Sequence, residues 1–237
     1  MVVPGSRVMP KFLSHAAPRR RRVGIVGFGA VGKYLARAVT QDPTCQRSLE
    51  LAFVCEPMDP GAVAKAAGGD GSLAVPADAV LEDLGCFAEK GADLIVEVAH
   101  ASISEKFGAA FLAEADYMPA STTAFADAAV EQALCSLAED TSTDHGIYIP
   151  AGALWGARDI QKMSECGSLK GLTVTMAKAP HHLKLAGSVG EKMAALLDGG
   201  ATGEHVLYEG PVRALAGLAP NNVNTMACAA LAAPSIG

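Results

Sequence analysis

The sequence predicts an α/β chain: helices wound on a parallel sheet, then a smaller unit built on a more open sheet. Three observations carry this. Short apolar runs alternate with amphipathic stretches, the order that helical crossovers between parallel strands produce. A glycine-rich turn follows the first apolar run directly. Beyond about residue 165, Leu172, Val174 and Met176 alternate with Thr173 and Thr175, the period of a half-buried strand.

In chain order, Val23–Val26 reads as a buried strand, and Ala30–Ala38 as a helix with Val31, Leu35 and Ala38 on one face. Leu49–Val54 and Asp93–Val98 are further strands. Ser102 with Glu105 predicts a capping box, opening a helix that turns Ile103, Phe107 and Phe111 inward. Asp127 is placed to cap the next helix, with Val130, Leu134 and Leu137 on one side, and Gly146–Ile149 reads as a strand. Leu169–Lys178 is the alternating strand, and Ser188 with Glu191 predicts a helix ending at Gly199-Gly200. Val206–Tyr208 suggests another strand, and Asn224 is placed to cap a final Ala-rich helix. The expected organisation is a basic tail over 1–21, a first domain over 22–164 and a second over 165–237.

The 237 residues include 19 basic and 25 acidic ones, a net charge of −6, and 50% are hydrophobic, a globular composition. No segment reaches the ~18 uncharged apolar residues of a membrane helix, and net acidity argues against nucleic-acid binding. Residues 1–22 hold six of the basic residues and no acid. That start is compatible with a solvated tail, a mitochondrial presequence or, through Arg19–Arg22, a nuclear signal. Six cysteines without a CxxC pair or zinc spacing read as reduced thiols of a cytoplasmic protein, and no metal site is expected.

Gly27-Phe28-Gly29-Ala30-Val31-Gly32 forms GxGxxG between a strand and a helix, its required context. The first glycine turns the chain, the second admits a pyrophosphate, and the third packs helix on strand. The N–H groups of Ala30, Val31 and Gly32 then face the phosphates. This predicts a Rossmann-type, doubly wound dinucleotide-binding domain. A P-loop is excluded because Tyr34 follows Lys33 where Ser or Thr must hold magnesium. Glu56 lies 24 residues beyond Gly32, after the second strand. A carboxylate there accepts the ribose hydroxyls and repels a 2′-phosphate, favouring NAD over NADP. Methyltransferases share this pattern, so these residues alone leave the cofactor class open. No tyrosine has Lys four residues on, which removes the Tyr-x-x-x-Lys dehydrogenases.

Four further stretches narrow the choice. They are Val96-Glu97-Val98-Ala99-His100, Ala151-Gly152-Ala153-Leu154-Trp155-Gly156, Tyr208-Glu209-Gly210-Pro211-Val212-Arg213 and Asn222-Val223-Asn224. With the glycine loop, they resemble the L-aspartate dehydrogenase family from about Arg22 to Gly237. The resemblance implies a smaller α+β mixed-sheet catalytic domain behind the Rossmann domain, and a homodimer. It implies NAD(P)-dependent oxidation of L-aspartate to iminosuccinate, which hydrolyses to oxaloacetate and ammonia. It puts Ala153 and one asparagine of Asn222 and Asn224 at cofactor positions, and Ala99 is a further cofactor-binding candidate. The two substrate carboxylates need cations, and Lys178 and Arg213 are candidates. In the family a catalytic histidine lies well beyond the asparagine motif, whereas the last histidine here is His205. A C-terminally incomplete catalytic domain is therefore expected, with non-catalytic dinucleotide binding as the alternative function. His100, ending a strand where α/β sheets place ligands, is the candidate for proton transfer; capping or bonding the local backbone is its other role. Trp155 is expected in the pocket or the core.

Overall fold

A strand that is apolar on both faces must lie inside a sheet, and Val23, Ile25 and Val26 make β1 (Arg21–Val26) such a strand. In the computed structural model, which describes residues 19–67, 75–140, 144–151, 154–219 and 222–236, β1 is central. It pairs in parallel with β2 (Leu49–Cys55) on one side and β3 (Leu94–Glu97) on the other; β4 (Asp116–Pro119) pairs beyond β3. Single parallel bridges extend the sheet at both edges, Val54 to Val80 and Tyr117 to Ile147. The order β2-β1-β3-β4 reverses direction between β1 and β3, so the loops leaving those two strands meet at the switch point of a doubly wound sheet. The expected strand over Gly146–Ile149 is thus reduced to one bridge.

Among the described residues the α-helices are α1 (Ala30–Gln41), α2 (Pro43–Gln46), α3 (Gly61–Ala67), α4 (Ala101–Glu114), α5 (Ala128–Glu139), α6 (Ala157–Glu165), α7 (Gly187–Asp198), α8 (Val212–Ala216) and α9 (Asn224–Ala232). Register is set by a bulge in the β1–β2 ladder, which slips between Val23 and Gly24 and brings Phe53 opposite Gly24. A Cβ on Gly24 would lie 2.3 Å from the Phe53 ring, so glycine is required where the ring crosses the strand. Behind β4, Phe111 of α4 packs on Phe87, Phe107 and Tyr117, with ring centroids 4.8, 5.8 and 5.3 Å apart.

The chain divides into two units: residues 1–121 with 132–148, and residues 122–131 with 149–237. The break falls earlier than residue 164 because α6 packs within the second unit, where Ser164 bonds Ser235 at 2.8 Å. Among the described residues the second unit holds helices and no strand. The expected strands Leu169–Lys178 and Val206–Tyr208 are corrected accordingly. Leu172, Val174 and Met176 are half-buried and the intervening threonines exposed, so the period of two survives as an extended face. A strand also needs a partner ladder, which a one-dimensional pattern does not supply. The apolar cluster here is Leu215, Ala216, Ala219 and Val223, with Leu185, Tyr208 and Met226 against it.

Three capping assignments change. Helix α4 is capped by His100, not Ser102; α7 begins one residue before Ser188, without a side-chain cap; and Asn224 is the first helical residue of α9, not its cap. Asp127 does cap, accepting from Ala129 N at 2.8 Å and Val130 N at 3.2 Å.

Residues 1–18 of the basic tail lie outside the described residues. The arginines that follow are not a solvated run. Arg21 and Arg22 open β1, and four ion pairs tie Arg19–Arg22 to the sheet: Arg19–Asp93 at 2.6 Å, Arg20–Glu50 at 3.1 Å, Arg21–Asp116 at 2.5 Å and Arg22–Glu50 at 3.7 Å. Burial works to raise the Asp93 pKa. The Arg22 N–H and the Arg19 and Arg21 guanidinia outweigh it and hold the carboxyl below its ordinary value.

Asp93→Asn is therefore expected to cost about 1 kcal/mol of stability at neutral pH. A depressed carboxyl stabilises fully above its unfolded pKa, and the contribution is lost as pH falls through the lower native value. Urea titrations at neutral and strongly acid pH should show the difference closing; an equal deficit at both would contradict the ion-pair account.

Candidate cofactor site

The turn after β1 is built by the absence of three side chains. Gly27 has φ +111°, and a Cβ there would stand 2.8 Å from the backbone N of Ala99. A Cβ on Gly32 would stand 1.9 Å from the carbonyl oxygen of Gly27. Around Gly29 no atom lies within 4 Å of the position a Cβ would take. The first and third glycines are thus filled by backbone, and the second faces open space. Gly29 is the N-cap of α1 but offers no side-chain cap, and the first turn holds no acid. Ala30, Val31 and Gly32 precede the first intrahelical bond, Lys33 N to Gly29 O at 3.0 Å, so their N–H groups suit an anion. The Lys33 ammonium lies 5.2 Å from the centre of the buried Phe28 ring, adding positive charge near this end. No ligand is needed to see that the cradle fits a pyrophosphate in shape and charge.

Two acids flank the loop. At the end of β2, Glu56 Oε2 accepts from Phe28 N at 2.7 Å and Oε1 from Met58 N at 3.2 Å. This puts the carboxylate against the glycine loop, where the ribose of an adenosine would lie. Beside it, burial first, then the charges of Glu56 and Asp83, push the Cys55 thiol up to about 12, so it stays protonated and inert. At the end of β3, Glu97 is fully buried. Its Oε1 accepts from Ala99 N at 2.7 Å, His100 N at 2.8 Å and Ser121 Oγ at 3.0 Å; its Oε2 accepts from Ser121 N at 3.1 Å. Burial raises its pKa against the pull of these donors.

His100 is placed at the strand end as expected, where one nitrogen of its imidazole caps the helix. Nδ1 accepts from Ser102 N at 3.2 Å and lies 3.0 Å from Ser102 Oγ. Nδ1 is thereby engaged at the helix start, and Nε2 is the ring nitrogen these contacts leave unused. Ser121 was not singled out from sequence. A Ser-Thr-Thr run just past a strand's carboxyl end was the available signal, hidden because β4 itself went unrecognised.

In the second unit, most of the expected polar residues have structural partners. Asn222 is buried; its Oδ1 accepts from Lys184 N at 2.8 Å and its Nδ2 donates to His182 O at 3.0 Å. Asn224 Oδ1 accepts from Thr123 N at 3.3 Å. Arg213 donates to the carbonyls of Phe125 and Ala126 at 3.2 and 2.9 Å and pairs with Glu131 at 2.8 Å. Its guanidinium therefore ties α8 to the segment before α5 rather than standing ready for a substrate carboxylate. Lys178 is exposed at the end of the extended segment. Trp155 is 99% exposed, so it is not core. Ala153 lies outside the described residues. Among the described residues no cluster of His, Cys, Asp and Glu could hold a metal, and no helix is long and apolar enough to cross a membrane.

Comparison with known proteins adds to this geometry. The NAD-binding domain of homoserine dehydrogenase matches residues 27–150, and the C-terminal domain of aspartate dehydrogenase matches residues 159–237. The aspartate dehydrogenase domain-containing protein of Xenopus tropicalis is 43% identical over 219 residues, covering 92% of this chain and 72% of that protein. Its namesake in Danio rerio is 39% identical over 221 residues, covering 93% and 74%. Among solved structures, aspartate dehydrogenase from Thermotoga maritima shares the fold, with a TM-score of 0.57, 16% identity, and coverage of 91% of this chain and 74% of that one.

The glycine geometry separates two variants. Gly32→Ala must displace backbone and is expected to destabilise by about 2 kcal/mol or more. Gly29→Ala meets open space and should cost no more than about 0.5 kcal/mol. Thermal melts read both; equal shifts would show that the third glycine is no packing constraint.

Proposed function

The chain belongs to the family of aspartate dehydrogenase domain-containing proteins, and from that premise we propose that it binds NAD at the glycine loop and oxidises L-aspartate or a close relative. The observation that carries the reading is the open, uncapped cradle at Gly29, with Glu56 beside it at the switch point of the sheet. When bound, a nicotinamide dinucleotide supplies an acceptor for the hydride that leaves the amino-bearing carbon. The chain's own part is to bind and orient.

The N–H groups of Ala30, Val31 and Gly32 hold the pyrophosphate, and the field of α1 adds ~0.3–1 kcal/mol. Glu56 accepts from the ribose hydroxyls and opposes a 2′-phosphate, the basis for preferring NAD to NADP. Ala99 lines the turn against Gly27. Family membership suggests Ala153, Asn222 and Asn224 as further cofactor contacts; the Asn222 amide is already spent on Lys184 N and His182 O, which favours Asn224 of the two asparagines. Lys178 is the favoured cation for a substrate carboxylate, since Arg213 is committed elsewhere.

Gly29→Asp places a carboxylate against the pyrophosphate and should weaken NADH binding at least about tenfold, read by fluorescence titration. Unchanged affinity would remove the cradle from the account. Glu56→Gln keeps the acceptor for Phe28 N but drops the charge, so the preference for NADH over NADPH should narrow by about tenfold. Aspartate-dependent appearance of NADH absorbance tests the reaction itself; binding without it would sink the oxidation and leave the cofactor site standing.

A further inference from the structure

Glu97 is a fully buried acid whose four close partners are all placed as donors. An ionised carboxylate has the lone pairs for four donors, and a buried acid so served becomes a rigid node. The donors come from two different turns. Ala99 and His100 leave β3; Ser121 leaves β4. Both turns lie at the carboxyl end of the sheet.

We propose that Glu97 is a positioning residue for the nicotinamide half of the dinucleotide site, clamping the β3 and β4 turns together. The inference rests on the dinucleotide reading above. A dinucleotide lies across the switch point with its adenosine ribose at the acid ending β2. Glu56 marks that side, so the β3–β4 side receives the other half. A clamp on that side governs the nicotinamide end and leaves the adenosine end alone.

The test compares NADH with ADP-ribose, which lacks the nicotinamide. Glu97→Gln keeps the size and one acceptor oxygen but turns an NH2 group toward donors. Ser121→Ala removes one donor and leaves the backbone intact, so it decides the matter if the first variant fails to fold. Binding of both ligands is measured by calorimetry on the full chain, with melting midpoints alongside. Glu97→Gln is expected to weaken NADH by about tenfold and Ser121→Ala by about threefold. ADP-ribose should stay within about twofold in both. A merely structural role would weaken both ligands in parallel. Parallel losses, or no loss of NADH in either variant, overturn the proposal while the dinucleotide site stands. If the unmodified chain binds neither ligand, the dinucleotide reading fails and takes this inference with it.

Discussion

The contact on which the first unit depends is backbone against backbone. Gly27 meets Val98–Ala99, and Gly32 meets the Gly27 carbonyl, at separations that no side chain tolerates. These contacts bring the loop leaving β1 against the turn leaving β3 and press α1 onto the loop. They also aim the first N–H groups of α1 at the open space over Gly29. A methyl at either packed position pushes on backbone, which cannot swing aside as a side-chain end can. The sheet order follows the same logic: only strands that are neighbours at the switch point bring these two turns together.

In each unit several polar side chains are consumed by the fold. Glu97 is consumed by two turns and His100 by the start of α4. Arg213 is consumed by two carbonyls and Glu131, and Asn222 by the loop at His182 and Lys184. Glu56 too accepts from Phe28 N and Met58 N, whereas the helix start at Gly29 has no side-chain cap and Lys178 is exposed. Burying a polar group without partners costs ~1–3 kcal/mol, so a consumed group does not come free cheaply. A residue type suited to chemistry, such as His100 at a strand end, thus also serves the local backbone.

The basic start shows how charge misleads a linear reading. Arg19–Arg22 look like an exposed cationic run because their acids, Glu50, Asp93 and Asp116, lie on later strands or just before one. Once β1 sits between β2 and β3, cations at its start fall beside acids at theirs. Likewise β4 stayed hidden: Asp116 opens it and Pro119 closes it, so its four residues carry little strand signal. Its buried Tyr117 and its pairing with β3 make it a strand only in three dimensions.

What the sequence by itself determined is whatever depends on near neighbours. It determined the glycine loop between strand and helix, the apolar runs of β1, β2 and β3, the acid ending β2, and the family text of the second half. Each of these is set by residues within a few positions of one another. Tertiary structure alone decided which strands pair, that the alternating Leu169–Lys178 segment has no ladder, that the chain divides near residue 149, and which polar groups are already spent. Those outcomes need partners tens of residues away. Hydrogen bonds and ion pairs of that kind are made by the fold and leave no periodic trace in the chain.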